Sequence, residues 1–173
     1  MTPRIVSTAL GSLLVLAACS GGAEPPDVGQ TVYTPAVQKI VFEDHAGGFG
    51  TPPPAGPCVL GVATFTLTLA TRHLEWSVCD LVDSPTPTTV LRTGDRDLAA
   101  AEFSTLEPKL EALVVEAPTQ CGADKPLLGL LVTTDAGTIE YADAFYGCPD
   151  QDKPLINSAA LDAVGSAFDT LAH

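Results

Sequence analysis

The chain has 173 residues, 46% hydrophobic and 17% charged, with 8 basic against 21 acidic side chains and a formal net charge of -13. That length suits one domain and is short for two. The acidic balance repels polyphosphate backbones and anionic lipid headgroups, which excludes a nucleic-acid binder and a polybasic membrane binder, and the apolar fraction is too high for a disordered acidic tail.

The first 19 residues open with Met-Thr-Pro-Arg, continue as an apolar run from Ile5 to Ala18 broken by Ser7, Thr8, Gly11 and Ser12, and end at Cys19. The run is too short for a permanent transmembrane helix, and Arg4 supplies the charged head of a secretory signal. Leu16-Ala17-Ala18-Cys19 resembles the lipobox of bacterial lipoproteins. The resemblance implies that residues 1–18 are removed as a signal peptide and that Cys19 becomes a lipidated N-terminus. It also implies a place in the bacterial cell envelope, held to the membrane by acyl chains alone, each buried methylene contributing about 0.8 kcal/mol. Ser20 stands where an aspartate retains enterobacterial lipoproteins in the inner membrane, so a Gram-negative host implies the outer membrane. Loss of Arg4 leaves a mature charge of about -14, which keeps the surface off the anionic bilayer.

Residues 19–35, low in apolar bulk and rich in Gly and Pro, read as a flexible tether, with a single globular domain over 36–173. Val37 to Glu43 is the first expected strand. The segment from Gly47-Gly48-Phe49 to Pro57 holds too many prolines and glycines for helix or central strand and reads as a long loop. Val62 to Ala70 alternates Ala63, Phe65, Leu67 and Leu69 against Val62, Thr64, Thr66 and Thr68, the pattern of a half-buried strand. A turn at Thr71-Arg72-His73 and a returning strand of Leu74, Trp76 and Val78 complete a hairpin. Thr88 to Arg92 adds a further strand. In Ala99 to Val114, Phe103, Leu106, Leu110 and Leu113 form one helical stripe, and Pro108 either kinks the helix or sits in the first turn of one beginning near Ser104 or Thr105. A second hairpin runs from Leu127 to Thr134 and from Thr138 to Tyr146 about Asp135-Ala136-Gly137. A last helix, capped by Asn157 or Ser158, repeats Leu161, Val164, Phe168 and Leu171. The expected fold is α+β, an antiparallel sheet of five or six strands with two amphipathic helices packed on one face.

With Cys19 consumed by lipid, Cys58, Cys79, Cys121 and Cys148 remain, an even set in an oxidising compartment. Each half of the domain runs cysteine, hairpin, cysteine, polar loop, helix, though little residue identity joins the halves. A hairpin brings its open ends together, which favours disulfides Cys58 with Cys79 and Cys121 with Cys148 over the two other connectivities. Folding about Ala136 sets Cys148 near Cys121, whereas Cys58 and Cys79 are off register unless the Pro/Gly loop doubles back.

No catalytic constellation emerges. His45, His73 and His173 lie outside any serine or cysteine nucleophile motif and read as solvated surface residues. Asp95 with Asp97 and Asp150 with Asp152 match no calcium-loop spacing and read as turn carboxylates. Glu140 and Asp143 fall on opposite faces of a strand, which argues against a paired acid and base. Trp76 shares a face with Leu74 and Val78 and reads as core. The expectation is therefore a protein with no catalytic residues, no metal and no cofactor.

Lys39-Ile40-Val41-Phe42 leading into Gly47-Gly48-Phe49, followed by a helix with Leu106, Leu110 and Leu113, is similar to emfourin-type inhibitors of thermolysin-like proteases. In the 46–57 loop, Gly47, Gly48 and Phe49 form a candidate partner-binding loop with Phe49 as anchor, against the favoured reading of Phe49 as a loop hydrophobe folded back on the sheet. Those inhibitors lack this lipobox and cysteine framework, so no residue role is carried over. The functional expectation is a non-catalytic envelope lipoprotein that binds an envelope protein or a small ligand or serves a structural role. The alternative is an inhibitor-like module acting through that loop.

Overall fold

A computed structural model describes residues 23–46, 55–82, 85–118, 122, 125–146 and 152–173. In chain order the elements are β1 (Val37–His45), β2 (Val62–Thr68), β3 (His73–Val82), β4 (Thr88–Asp97), α1 (Ala100–Glu111), β5 (Val115–Glu116), β6 (Leu128–Thr134), β7 (Gly137–Asp143), a single 3-10 turn (Ala144–Tyr146), β8 (Leu155–Ile156) and α2 (Ser158–Ala172). The strands form one sheet in the order β4, β3, β2, β1, β6, β7, β8, β5. Every neighbouring pair is antiparallel except β7 with β8. The fold is therefore α+β, as the alternation and the two helical stripes require.

The two hairpins flank β1, which sets Phe42 opposite Phe65 on one side and Leu130 on the other. Because side chains alternate along each strand, Ile40, Phe42, Ala63, Phe65, Leu67, Leu74, Val78, Leu130, Val132 and Tyr141 all fall on one face, where they are buried. Both helices cover that face: Phe103, Leu106 and Leu110 of α1 and Leu161, Val164 and Phe168 of α2 join the same core. The aromatic centre is Phe42, Phe65 and Phe168, with the Phe65 and Phe168 rings stacked at 5.5 Å. Gly165 lets α2 approach it, since a Cβ there would sit 2.6 Å from the Phe42 ring.

Several sequence expectations change. The sheet has eight strands rather than five or six, because β5 and β8 are two residues each and too short to show a period. β4 runs through Asp97, so its second half escapes a reading based on apolar alternation. Of the two readings of Pro108, a start near Ser104 or Thr105 is the one that fails: α1 begins at Ala100 and continues through Pro108 in its final turn, and Glu102 closes its start by accepting the Ala99 N–H at 2.8 Å. Asn157 caps α2, accepting the Ala160 N–H at 2.9 Å. The expected tether of 19–35 is shorter than its composition implies. Val32 is buried, and Gly29, Gln30 and Val32 hydrogen-bond to Leu113 and Val115, so this stretch covers the outer edge of β5.

One disulfide is present among the described residues, Cys58–Cys79, with Cα atoms 5.9 Å apart. The chain doubles back to make it: a turn closes from Val62 N–H to the Val59 carbonyl, and Gly61 takes a φ of +83°. Cys121 and Cys148 lie outside the described residues. The repeated layout of the two halves holds for hairpin and helix but not for the third strand, since β4 returns antiparallel over ten residues and β8 is a two-residue parallel strand.

Candidate functional site

Burying most of the apolar side chains on one face leaves the other, which keeps Val41 and Leu131, free of helices among the described residues. Across β4, β3, β2, β1, β6 and β7 the register sets one row of Asp97, His73, Thr68, Lys39, Thr133 and Thr138, and the next of Asp95, Glu75, Thr66, Val41, Leu131 and Glu140. This open face is polar and acid-rich, with threonines at every second position of β2. At its β4 end, His73 Nδ1 lies 2.7 Å from Asp97 Oδ1, and Nε2 lies 3.8 Å from Asp95 and 3.9 Å from Glu75. The hydrogen bond to Asp97, aided by the three negative charges, raises the His73 pKa above its usual 6.5. His73 is thus a surface residue, as expected, but it is the first residue of β3 inside a carboxylate cluster rather than part of the turn.

At the opposite corner of the same face, Gly129 and Ala142 supply no bulk, and a shallow depression of about 340 Å³ opens between His45, Glu140, Asp152 and Lys153. Glu43 Oε2 stands 3.3 Å from His45 Nε2, and Lys153 pairs with Glu140. A carboxylate beside an imidazole can orient it for proton transfer, but among the described residues no serine, threonine or cysteine side chain lines the depression. What the site offers is alternating charge and hydrogen-bond capacity on an open floor. Asp152 belongs to this rim, while Asp150 lies outside the described residues.

On the helix side of the same end, a fully buried Asp143 receives Lys125 Nζ at 2.9 Å and the Phe145 N–H at 2.8 Å. Lys125 also contacts Asp162 at 2.9 Å and the Ser158 hydroxyl of α2. Burial opposes the ammonium charge, but the hydrogen bonds to Asp143 and Asp162 outweigh it, and the Lys125 pKa is raised above 10.5. A lysine held protonated cannot accept the Ser158 proton, so this pair does not activate a nucleophile in the manner of a serine–lysine dyad. Its work is to join β7, the segment before β6 and the start of α2. Nearby, burial and the Asp162 charge raise the Asp44 pKa above 3.8, against the Ala46 N–H that it accepts at 3.0 Å.

Of the residues singled out by sequence, Cys58 and Cys79 are brought together on the open-face side of β3. Cys19, Gly47, Gly48, Phe49, Cys121 and Cys148 lie outside the described residues. The flanks of the 46–57 loop are both anchored. Ala46 follows β1 with a φ of +49°, and the Ala55 carbonyl accepts the Thr89 N–H at 3.0 Å and the Thr88 hydroxyl at 2.7 Å. Gly56 is required there, because a Cβ would meet Thr89 Oγ1 at 1.9 Å. Glu140 and Asp143 do face opposite ways. Trp76 is half-buried, its ring lying over Gly94. Among the described residues no group of histidines, cysteines and carboxylates is disposed to hold a metal ion, and no helix is long and apolar enough to cross a membrane. The Lys125–Asp143 pair escaped the sequence reading, although an aspartate two residues from Tyr141, on the apolar face, was the signal for a buried carboxylate. No protein-family model matches the chain, and no curated protein or solved structure matches it either.

Proposed function

We propose that this chain is a lipid-anchored protein of the bacterial cell envelope whose domain is a non-catalytic binding module. The observation that carries the reading is the one-sided sheet, with both helices and the whole core on one face and a polar, hydroxyl- and carboxylate-lined surface on the other. A face of this size without a covering layer costs nothing in solvent only if it is polar, and it then suits recognition of a protein or a small polar ligand. The lipobox at 16–19 and the Cys58–Cys79 disulfide support export to an oxidising compartment. Ser20 favours the outer membrane in a Gram-negative host. Neither nucleic acid nor anionic lipid headgroup is a partner for a chain of charge -13.

The test has two arms. Palmitate labelling and mass analysis of the natural N-terminus should give an acylated Cys19, and Cys19→Ala should abolish both signals; an unmodified processed terminus refutes the anchor. Partner capture from the envelope should be lost with Thr66→Arg on the open face and kept with Thr105→Arg on α1. Loss with the second variant alone refutes the open-face reading. A second reading, a protease-inhibitor-like module acting through the 46–57 loop, draws on the disulfide that pins the loop's far end. Phe49→Ala should then abolish inhibition of a thermolysin-like protease while leaving the fold intact.

A further inference from the structure

The two outer edges of the sheet are treated differently. β5 is covered by residues 29–32 of the chain itself, whereas among the described residues β4 is covered only at its start. The Thr89 amide points outward to Ala55, and the Leu98 amide points inward to Arg72. By alternation, the N–H and C=O groups of Leu91, Thr93, Asp95 and Asp97 all point away from β3. Among the described residues none of these groups has a backbone partner, and all four residues are exposed, Leu91 by 53%. A seven-residue strand edge is therefore open to main-chain pairing.

The side chains along it define what fits. Asp95 and Asp97 project on the open face beside Glu75, and the two arginines on the other face are already engaged, Arg92 by Asp80 and Arg96 by Glu102 at 2.8 Å. Gly94 leaves the Trp76 ring at the edge, and Leu91 adds an apolar contact next to Leu81, itself 42% exposed. A second copy of this chain does not fit. Two-fold pairings centred on Arg92, Gly94, Asp95, Arg96 or Asp97 set like charges opposite one another. Those centred on Leu91 or Thr93 set a residue against Thr89, whose amide is taken by Ala55.

We propose that β4 receives, by strand addition, an extended basic segment of another protein, its main chain pairing with Leu91, Thr93, Asp95 and Asp97, its basic side chains on Asp95 and Asp97 and an apolar one on Leu91. The inference rests on the binding-module reading and gives the partner a chemistry. In antiparallel addition the matching pattern is basic, any, basic, apolar against Trp76, then two residues and an apolar one.

The probe is the peptide Lys-Thr-Lys-Val-Thr-Thr-Val, titrated into isotope-labelled full-length chain. The amides of Leu91, Thr93 and Asp95 should shift and exchange more slowly. The same peptide with glutamates for lysines should bind about tenfold more weakly at low salt, from two exposed ion pairs replaced by repulsions. Thr93→Pro removes one outward donor without touching the β3 pairing and should abolish binding. Should that variant not fold, Asp95→Lys with Asp97→Lys supplies the same loss from the surface. Shifts confined to Thr64, Thr66 and Thr68 overturn the edge assignment while leaving the binding module standing. Dimerisation through β4 without peptide, or no shift anywhere, also overturns it. An unacylated Cys19 would sink the anchor alone and leave the edge result intact.

Discussion

Gly165→Ala poses the packing of α2 on the sheet as a question of sign. In a helix interior alanine is favoured over glycine by about 1 kcal/mol, so on propensity alone the variant gains stability. The new methyl, however, would lie 2.6 Å from Phe42 Cζ and 3.0 Å from Cε1, where ordinary carbon contacts are about 3.5–4.0 Å. The Phe42 ring has little room to yield. It is 6.3 Å from Phe65 and 6.1 Å from Phe168, centroid to centroid, and is 2% exposed. Overpacking of this kind costs about 1–3 kcal/mol, so the net effect should be a loss of about 1 kcal/mol. Removing the ring end reverses the balance: in a Phe42→Leu background the same Gly165→Ala change should gain about 1 kcal/mol, a coupling of about 2 kcal/mol between the two sites. Urea unfolding of the four proteins of this cycle measures it, provided the m-values agree. Stabilisation by Gly165→Ala in the wild-type background, or an equal effect in both, would falsify the claim that helix and sheet meet at van der Waals contact there.

Three further outcomes follow from the structure. Lys125→Met should destabilise the domain by about 3 kcal/mol, because it leaves the fully buried Asp143 without its counterion, and Asp143→Leu in the same chain should restore most of that loss in a denaturant titration. Replacing Cys58 and Cys79 together by alanine opens a cross-link of sequence separation 21 and should cost about 3.3 kcal/mol in the chain-entropy treatment, read as a lowered urea midpoint. The His73 pKa is raised on folding, so its contribution to stability is fully present below the unfolded value of 6.5 and is lost as pH rises through the folded value. Imidazole titration by NMR should show the raised pKa, and Asp97→Asn should lower it; an unchanged midpoint in that variant refutes the assigned cause.

Much of the architecture was legible from local pattern. The period of two in Val62 to Thr68 and the three-and-four spacing of Leu161, Val164 and Phe168 name an element and its buried face without knowledge of its neighbours, because burial on one side imprints that side on the sequence. The same parity argument separated Glu140 from Asp143. Even the Cys58–Cys79 bridge was reachable, but only by allowing the loop before Val62 to double back, since the hairpin register alone sets Cys58 away from Cys79. What composition misjudged was the stretch from Gly29 to Val32. A flexible-looking segment becomes ordered when an unpaired strand edge, here β5, offers it hydrogen bonds that no local propensity announces.

The chain alone determined the α+β class, the one-sided helices and the acidic balance, because each is written in composition or in the period of consecutive residues. Tertiary structure alone decided which strands neighbour one another, that Lys125 meets Asp143 from 18 residues away, that His73 stands among three carboxylates, and that no described residue pairs with the outer edge of β4 beyond its start. These depend on contacts between distant segments, whose partners are chosen by the packing of the whole core rather than by any residue's own preference.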